Sequence, residues 1–213
     1  MTHTPFNLIS SNLKTLCRMT NVPCISDQTE LFLHNIVNLI KPQSILEIWS
    51  AYGYSLICFA QWIQPRWWVI QWCERAYPNH VQLSHLLRLS QLYGLTNRSY
   101  WYGSFLDAPI HTRKQQPYDL VFVDAQKSDY PVYINHLITY NLIKENAIIV
   151  CDDVIKYHEK MNNLPECFQQ HWLYYHTYQI DHDDGIIVAC KDTTIVEQYI
   201  DSIWSQWDSQ LIQ

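Results

Sequence analysis

YDLVFVDAQK, residues 118–127, and NAIIVCDDVI, residues 146–155, decide the fold. Each is an apolar, β-branched run that stops on carboxylates, Asp124 in the first and Asp152 and Asp153 in the second. An unbroken apolar run of this length reads as a strand buried on both faces, which belongs to a parallel sheet covered by helices. In open α/β sheets, ligands sit in the crevice beyond the carboxyl ends of the strands. Three acids gathered there repel one another unless a cation lies between them. A hard divalent metal with oxygen ligands, Mg²⁺ or Ca²⁺ rather than zinc, answers that need. The competing reading is helix capping by Asp129 or Asp153, and two strands ending alike weigh against it.

Outward from these runs, hydrophobic spacing predicts helices over 5–20 and 27–41, the second capped at Ser26/Asp27 and ended by Pro42. Strands are expected at 44–48, 67–73, 97–102, 118–124 and 147–151, with helices at 53–64, 78–93 and about 130–142 between them. Residues 171–180 and 185–190 read as two strands close enough to pair antiparallel. The stretch 193–211 places Ile195, Tyr199, Ile203, Trp204 and Trp207 along one face of a helix. The alternation is that of an α/β domain, with neither repeat nor linker. One domain is expected: a helical cap at 1–41, a core at 44–190 and a C-terminal helix at 193–211.

Bulk properties narrow the function. A chain of 213 residues suits one α/β domain with a full core. A net charge of -6 gives no electrostatic footprint for nucleic acid or anionic membrane, although a local basic patch is compatible with it. No apolar run is long enough to span a bilayer, and MTHTPFNLISSN lacks a signal pattern, so a cytoplasmic protein without a membrane partner is expected. The 7 cysteines show no CxxC spacing and suit reduced, buried thiols. The 10 histidines form no zinc spacing. Glycine is oddly scarce, 4 residues against an ordinary share of about 7%, while tryptophan reaches 9.

Three further features carry chemistry. The run Glu47-Ile48-Trp49-Ser50-Ala51-Tyr52-Gly53-Tyr54-Ser55 closes a strand and opens a helix whose amides can take a carboxylate or phosphate, or is an ordinary βα turn. Glu74 closes the second strand, 21 residues after Gly53, the offset of an acid that binds two ribose hydroxyls. A common exposed Glu is the plainer reading. Lys127 lies just past Asp124. Beside a metal its ammonium would be pushed toward the neutral form a general base requires; alternatively it is a solvated surface lysine.

Together these residues resemble the cation-dependent, class I S-adenosylmethionine O-methyltransferases, the group containing catechol and caffeoyl-CoA O-methyltransferases. The resemblance covers roughly residues 28–190 and is most specific in ILEI…GYS (45–55), VFVDAQKSDY (121–130) and IVCDDV (149–154). It implies a Rossmann-like α/β fold: a mostly parallel seven-stranded sheet with an antiparallel last strand and helices on both faces. It implies Asp124, Asp152 and Asp153 as ligands of Mg²⁺ (or Ca²⁺ or Mn²⁺), with Asp153 where the family usually has asparagine. Lys127 falls on the catalytic lysine. The cofactor S-adenosylmethionine would meet Glu47, Trp49, Gly53 and Ser55 around its methionine end, Glu74 at the ribose and Gly103-Ser104 beside the adenine, with Asp124 also among its contacts. Asp184-Gly185 resembles the step that opens the last strand. The implied reaction is methyl transfer to a hydroxyl of a phenolic or catechol-like small molecule, in a homodimer. Hydroxylated uridine in tRNA is the alternative acceptor, ranked lower on the acidic charge.

One departure stands out. The family writes Glu-x-Gly after its first strand; this chain writes Glu47-Ile48-Trp49, and Trp67-Trp68 also falls where relatives carry Gly-Gly. A glycine there lets backbone approach the cofactor, so the chain as written is expected to bind it poorly. Either these codons are UGA meant as glycine, or the tryptophans are genuine in a divergent enzyme. A cofactor-impaired or non-catalytic protein is therefore the alternative function. A nicotinamide-linked oxidoreductase fits less well, because GxGxxG is missing and the acids at 152 and 153 would have no role.

Overall fold

The computed structural model describes residues 5–63, 69–74, 98–107, 117–161 and 163–202. Its seven strands are β1 Ser44–Ile48, β2 Val69–Glu74, β3 Arg98–Tyr102, β4 Tyr118–Val123, β5 Ile143–Cys151, β6 Tyr174–Gln179 and β7 Gly185–Cys190. They form one sheet in the order β3-β2-β1-β4-β5-β7-β6. All pairs from β3 through β5 are parallel, and β7 runs antiparallel to both β5 and β6.

Side-chain alternation along the buried strands splits the core in two. Ile45, Leu120, Phe122, Ile148, Val150, Ile186 and Val188 face one layer. That layer is built by α1 (Pro5–Thr20), α2 (Asp27–Ile40) and α3 (Tyr54–Trp62). Leu46, Ile48, Val121, Val123, Ile149 and Cys151 face the other, built by α4 (Tyr130–Thr139) and α5 (Leu164–Gln170). β1 is buried along its whole length, as its unbroken apolar reading requires.

Local signals set the ends. Ser26 caps α2, its Oγ accepting from Thr29 N at 3.0 Å, with Asp27 and Glu30 in the first turn where the helix dipole favours them. The helix stops at Lys41, in the left-handed region, just before Pro42. The two tail strands pair antiparallel as expected.

Three expectations need correction. β5 begins at Ile143 rather than 147, with a register irregularity against β4 between Tyr118 and Leu120 that absorbs the polar Lys144 and Glu145. Residues 164–170 form a short helix the hydrophobic pattern does not announce, because seven residues hold only two turns. The stretch expected as a C-terminal helix at 193–211 is helical over all its described residues, 193–202, but not as α-helix throughout: Ile195–Ile200 is a π-helical segment that buries Val196 and Ile200, and residues from 203 on lie outside the described part. So do the predicted helix at 78–93 and the Trp67-Trp68 pair. Among the described residues no helix is long and apolar enough to cross a membrane.

Candidate active site

β1, β4 and β5 end side by side. Asp124 N donates to Ile48 O at 3.3 Å and Asp152 N to Val123 O at 3.0 Å, so the three ends stay in step one residue past their pairing. The chain runs outward through β1, β2 and β3, then returns to β4 and β5 on the other side of β1. This reversal opens the crevice in which α/β sheets place ligands.

The acidic half of the site lies beyond β4 and β5. Lys127, on a single 3-10 turn ahead of α4, puts Nζ 2.9 Å from Asp124 Oδ1 and 2.8 Å from Asp153 Oδ2. Its ammonium also donates to Tyr130 Oη at 2.9 Å, and Tyr130 donates onward to the Asp152 carbonyl at 3.0 Å. Asp153 has φ 59°, a left-handed conformation that Asp and Asn tolerate better than other residues with a side chain. That backbone turns its carboxylate back toward Lys127. Asp184, just before β7, hydrogen-bonds to Asp153 and accepts from Gly185 N at 2.7 Å.

The electrostatics follow from crowding acids around one ammonium. Burial first, then the charges of Asp124 and Asp153, hold Asp152 well above the carboxylate range. Burial likewise raises Asp124, whose side chain is 29% exposed, with Lys127 pulling the other way. Asp184 is raised to about 7 by burial and by its hydrogen bond to Asp153. Burial would raise Asp153 too, but the Asp184 hydrogen bond and Lys127 outweigh it and hold Asp153 low. For Lys127, burial favours the neutral amine, yet Asp124 and Asp153 win and keep it charged. The sequence expectation of a lysine pushed toward neutrality describes a site whose carboxylates are otherwise engaged. Several oxygen donors in negative excess fit a divalent cation in charge and in donor type. Among the described residues, though, no three of His, Cys, Asp or Glu are grouped so as to hold an ion as they stand. Lys127 sits between two of the expected ligands.

The other half lies beyond β1. Glu47 is fully buried, and Ser55 Oγ in the first turn of α3 donates to its Oε1. Gly53, φ 83°, precedes α3 and donates from its N to Ser50 O at 2.6 Å. Ser50 Oγ is buried with no hydrogen-bond partner among the described residues. Trp49 and Ala51 both have positive φ, 75° and 47°. Across the cleft, Gly103 has φ 134°, and Ser104 Oγ accepts from Leu106 N at 3.2 Å. Trp49 lines a cavity of about 20 Å³ with Gly103, Ser104 and Tyr133, and a second of about 10 Å³ with Ser50, Ser55 and Asp124. Each has room for about one water.

Glu47, Trp49, Gly53, Ser55, Gly103, Ser104 and Asp124 thus border the two cavities or the turns between them, and Asp124, Lys127 and Asp153 meet directly. Glu74 is the last residue of β2, opposite Tyr102 of β3; its side chain lies outside the described part. Tyr130, Tyr133 and Asp184 were missed as site residues. Tyr130 carries a legible signal, the same phrase VFVDAQKSDY that holds Asp124 and Lys127. Asp184 reaches the site only through the antiparallel return of β7.

The family model described as O-methyltransferase matches residues 9–190. A catechol O-methyltransferase of Mycobacterium tuberculosis (strain ATCC 25618 / H37Rv) is 31% identical over 133 residues, 62% of this chain and 57% of that protein, so the chain spans little more than half of that relative's length. The crystal structure of an O-methyltransferase from Bacillus cereus in complex with SAH superposes with a TM-score of 0.72 at 18% identity, covering 88% of this chain and 92% of that one. O-Methyltransferase TomG from Streptomyces achromogenes, in complex with SAM, gives 0.70 at 22% identity over 85% of this chain and 88% of that one. At these identities the structural likeness speaks for the fold alone. The family match covers most of the chain, and the chain belongs to the O-methyltransferase family.

Proposed function

We propose that this chain is an S-adenosylmethionine-dependent O-methyltransferase that methylates one hydroxyl of a catechol-like small molecule with the help of a divalent metal. The observation that carries the reading is the cluster of Asp124, Asp152 and Asp153 around Lys127 at the ends of β4 and β5. The buried Glu47–Ser55 pair beyond β1 supports a cofactor side to the same crevice. When bound, the cofactor would supply an electrophilic methyl and the metal would make an acceptor hydroxyl more acidic.

Asp124, Asp152 and Asp153 would hold the metal. Glu47, Gly53 and Ser55 would border the methionine end of the cofactor, Glu74 the ribose and Gly103-Ser104 the adenine. Lys127 takes the hydroxyl proton. Its two carboxylate partners keep it charged now; once they are engaged elsewhere, burial alone acts on it and favours the neutral amine. Tyr130 holds Nζ in place from the far side. Orientation of two reactants in one crevice supplies much of the acceleration.

The test is methyl transfer from labelled S-adenosylmethionine to catechol by Trp49→Gly protein, with Mg²⁺ or with EDTA, and with hydroxylated-uridine tRNA as a parallel acceptor. Expected is Mg²⁺-dependent transfer to catechol, reduced about 10²–10⁴-fold in Lys127→Ala. No transfer to catechols under any condition sinks the reading; transfer indifferent to EDTA sinks its metal component. A cofactor-impaired protein is the second reading, favoured by one observation: Trp49 lines both of the small cavities in the crevice, each with room for about one water.

A further inference from the structure

Trp49 and Trp172 occupy backbone that suits a tryptophan badly. Their φ values are 75° and 55°, where a bulky L-residue is a genuine outlier. Asn21, Lys41, Ala51, Asn141 and Asp153 are the other described non-glycine residues with positive φ, and each is smaller or less rigid.

Trp172 completes the end of α5. Its N donates to Gln169 O at 3.2 Å and Leu173 N donates to Phe168 O at 3.0 Å. Those two bonds define the helix ending in which the left-handed residue is usually glycine and sometimes asparagine. α4 ends in the same way, through Asn141 N to Ile138 O at 3.0 Å and Leu142 N to Leu137 O at 2.8 Å, with Asn141 at φ 51°. The Trp172 side chain is 88% exposed, so packing does not account for an indole there. Trp49 lines two separate water-sized cavities at the reversal of the sheet.

Trp62 is the contrast. It sits in regular helix, its ring edge-on to Phe59 at 5.6 Å and tilted against His34 at 5.2 Å. The backbone therefore sorts these tryptophans into two kinds, in a chain with 4 glycines and 9 tryptophans.

We propose that residues 49 and 172 are encoded by UGA and read as glycine where this protein is made, while Trp62 is a true tryptophan encoded by UGG. Glycine at 49 removes the indole that lines both cavities at the reversal of the sheet. The codon assignment rests on backbone geometry; only the identity of the cleft's ligand rests on the methyltransferase reading.

The coding DNA and the peptide masses of the protein isolated from its source test this. Expected are UGA at 49 and 172, UGG at 62, and peptides spanning 49 and 172 lighter by the difference between tryptophan and glycine. UGG at either 49 or 172, or a tryptophan mass in either peptide, overturns the proposal. Calorimetry with S-adenosylmethionine tests the consequence separately, and Trp49→Gly is expected to bind about tenfold tighter, or better, than the chain as written. UGA codons and glycine masses without that gain uphold the codon assignment and sink the cofactor reading instead.

Discussion

Replacing Trp172 by alanine and, separately, by glycine isolates the backbone term from everything the indole does. Both variants remove the same exposed ring, so lost contacts cancel in the comparison. What remains is the cost of holding a residue with a Cβ at φ 55°. A left-handed L-residue costs about 1–2 kcal/mol, and glycine escapes it. Against that, glycine loses about 0.4–1 kcal/mol more chain entropy on folding than alanine. The difference leaves glycine ahead by roughly 0.5–1 kcal/mol, about 1–4 °C in Tm for a chain of this size. At Trp62, the last residue of α3 with helical backbone, the order inverts: glycine falls below alanine by at most about 0.5–1 kcal/mol. Thermal unfolding of the four variants, followed by circular dichroism, reads both differences. Alanine equal to or better than glycine at 172 would refute the claim that this position is built for glycine. The same order at both positions would do so as well, since it would mean the backbone distinguishes nothing.

Other consequences are open to measurement. Gly185→Ala puts a Cβ 2.6 Å from Tyr178 O and 2.5 Å from Ile155 Cδ1. The carbonyl cannot yield without disturbing the β6–β7 pairing, so a loss of about 1–3 kcal/mol is expected, and an unchanged Tm contradicts the packing. Metal-free, the raised Asp184, Asp124 and Asp152 add a stability that is complete below the ordinary carboxylate range and lost as pH rises through their raised values, for Asp184 at about 7; Asp153, held low, works the other way. Mg²⁺ should therefore raise Tm more at about pH 8 than at about pH 5, and equal shifts would show that these carboxylates do not meet the ion. Cys24 is held at about 7, first by a hydrogen bond from Cys17, while burial drives Cys58 and Cys151 up. Iodoacetamide mapping near neutral pH should label Cys24 before those two, and earlier labelling of either defeats the assignment.

The strands that build the site were legible because burial on both faces leaves no room for polar residues, so β1, β4 and the end of β5 announce themselves in composition alone. α5 was not: with Leu164, Cys167 and Phe168 as its buried residues it holds too few repeats for periodicity to register, and its fold follows from docking against α4. The site divides in the same way. Asp124, Asp152 and Asp153 declare themselves by ending apolar runs, whereas Asp184 joins them across an antiparallel return that no local pattern encodes. The tryptophans carry the argument one step further. In the sequence, only family likeness sets Trp49 apart from Trp62, and a glycine shortage alone cannot say which tryptophans are out of place. Backbone angle can, because a helical φ accommodates an indole and a left-handed one resists any Cβ. Trp172, which composition and family likeness both passed over, falls with Trp49 on that criterion, and a closed cleft and an overburdened helix end then trace to one cause at the level of the codon.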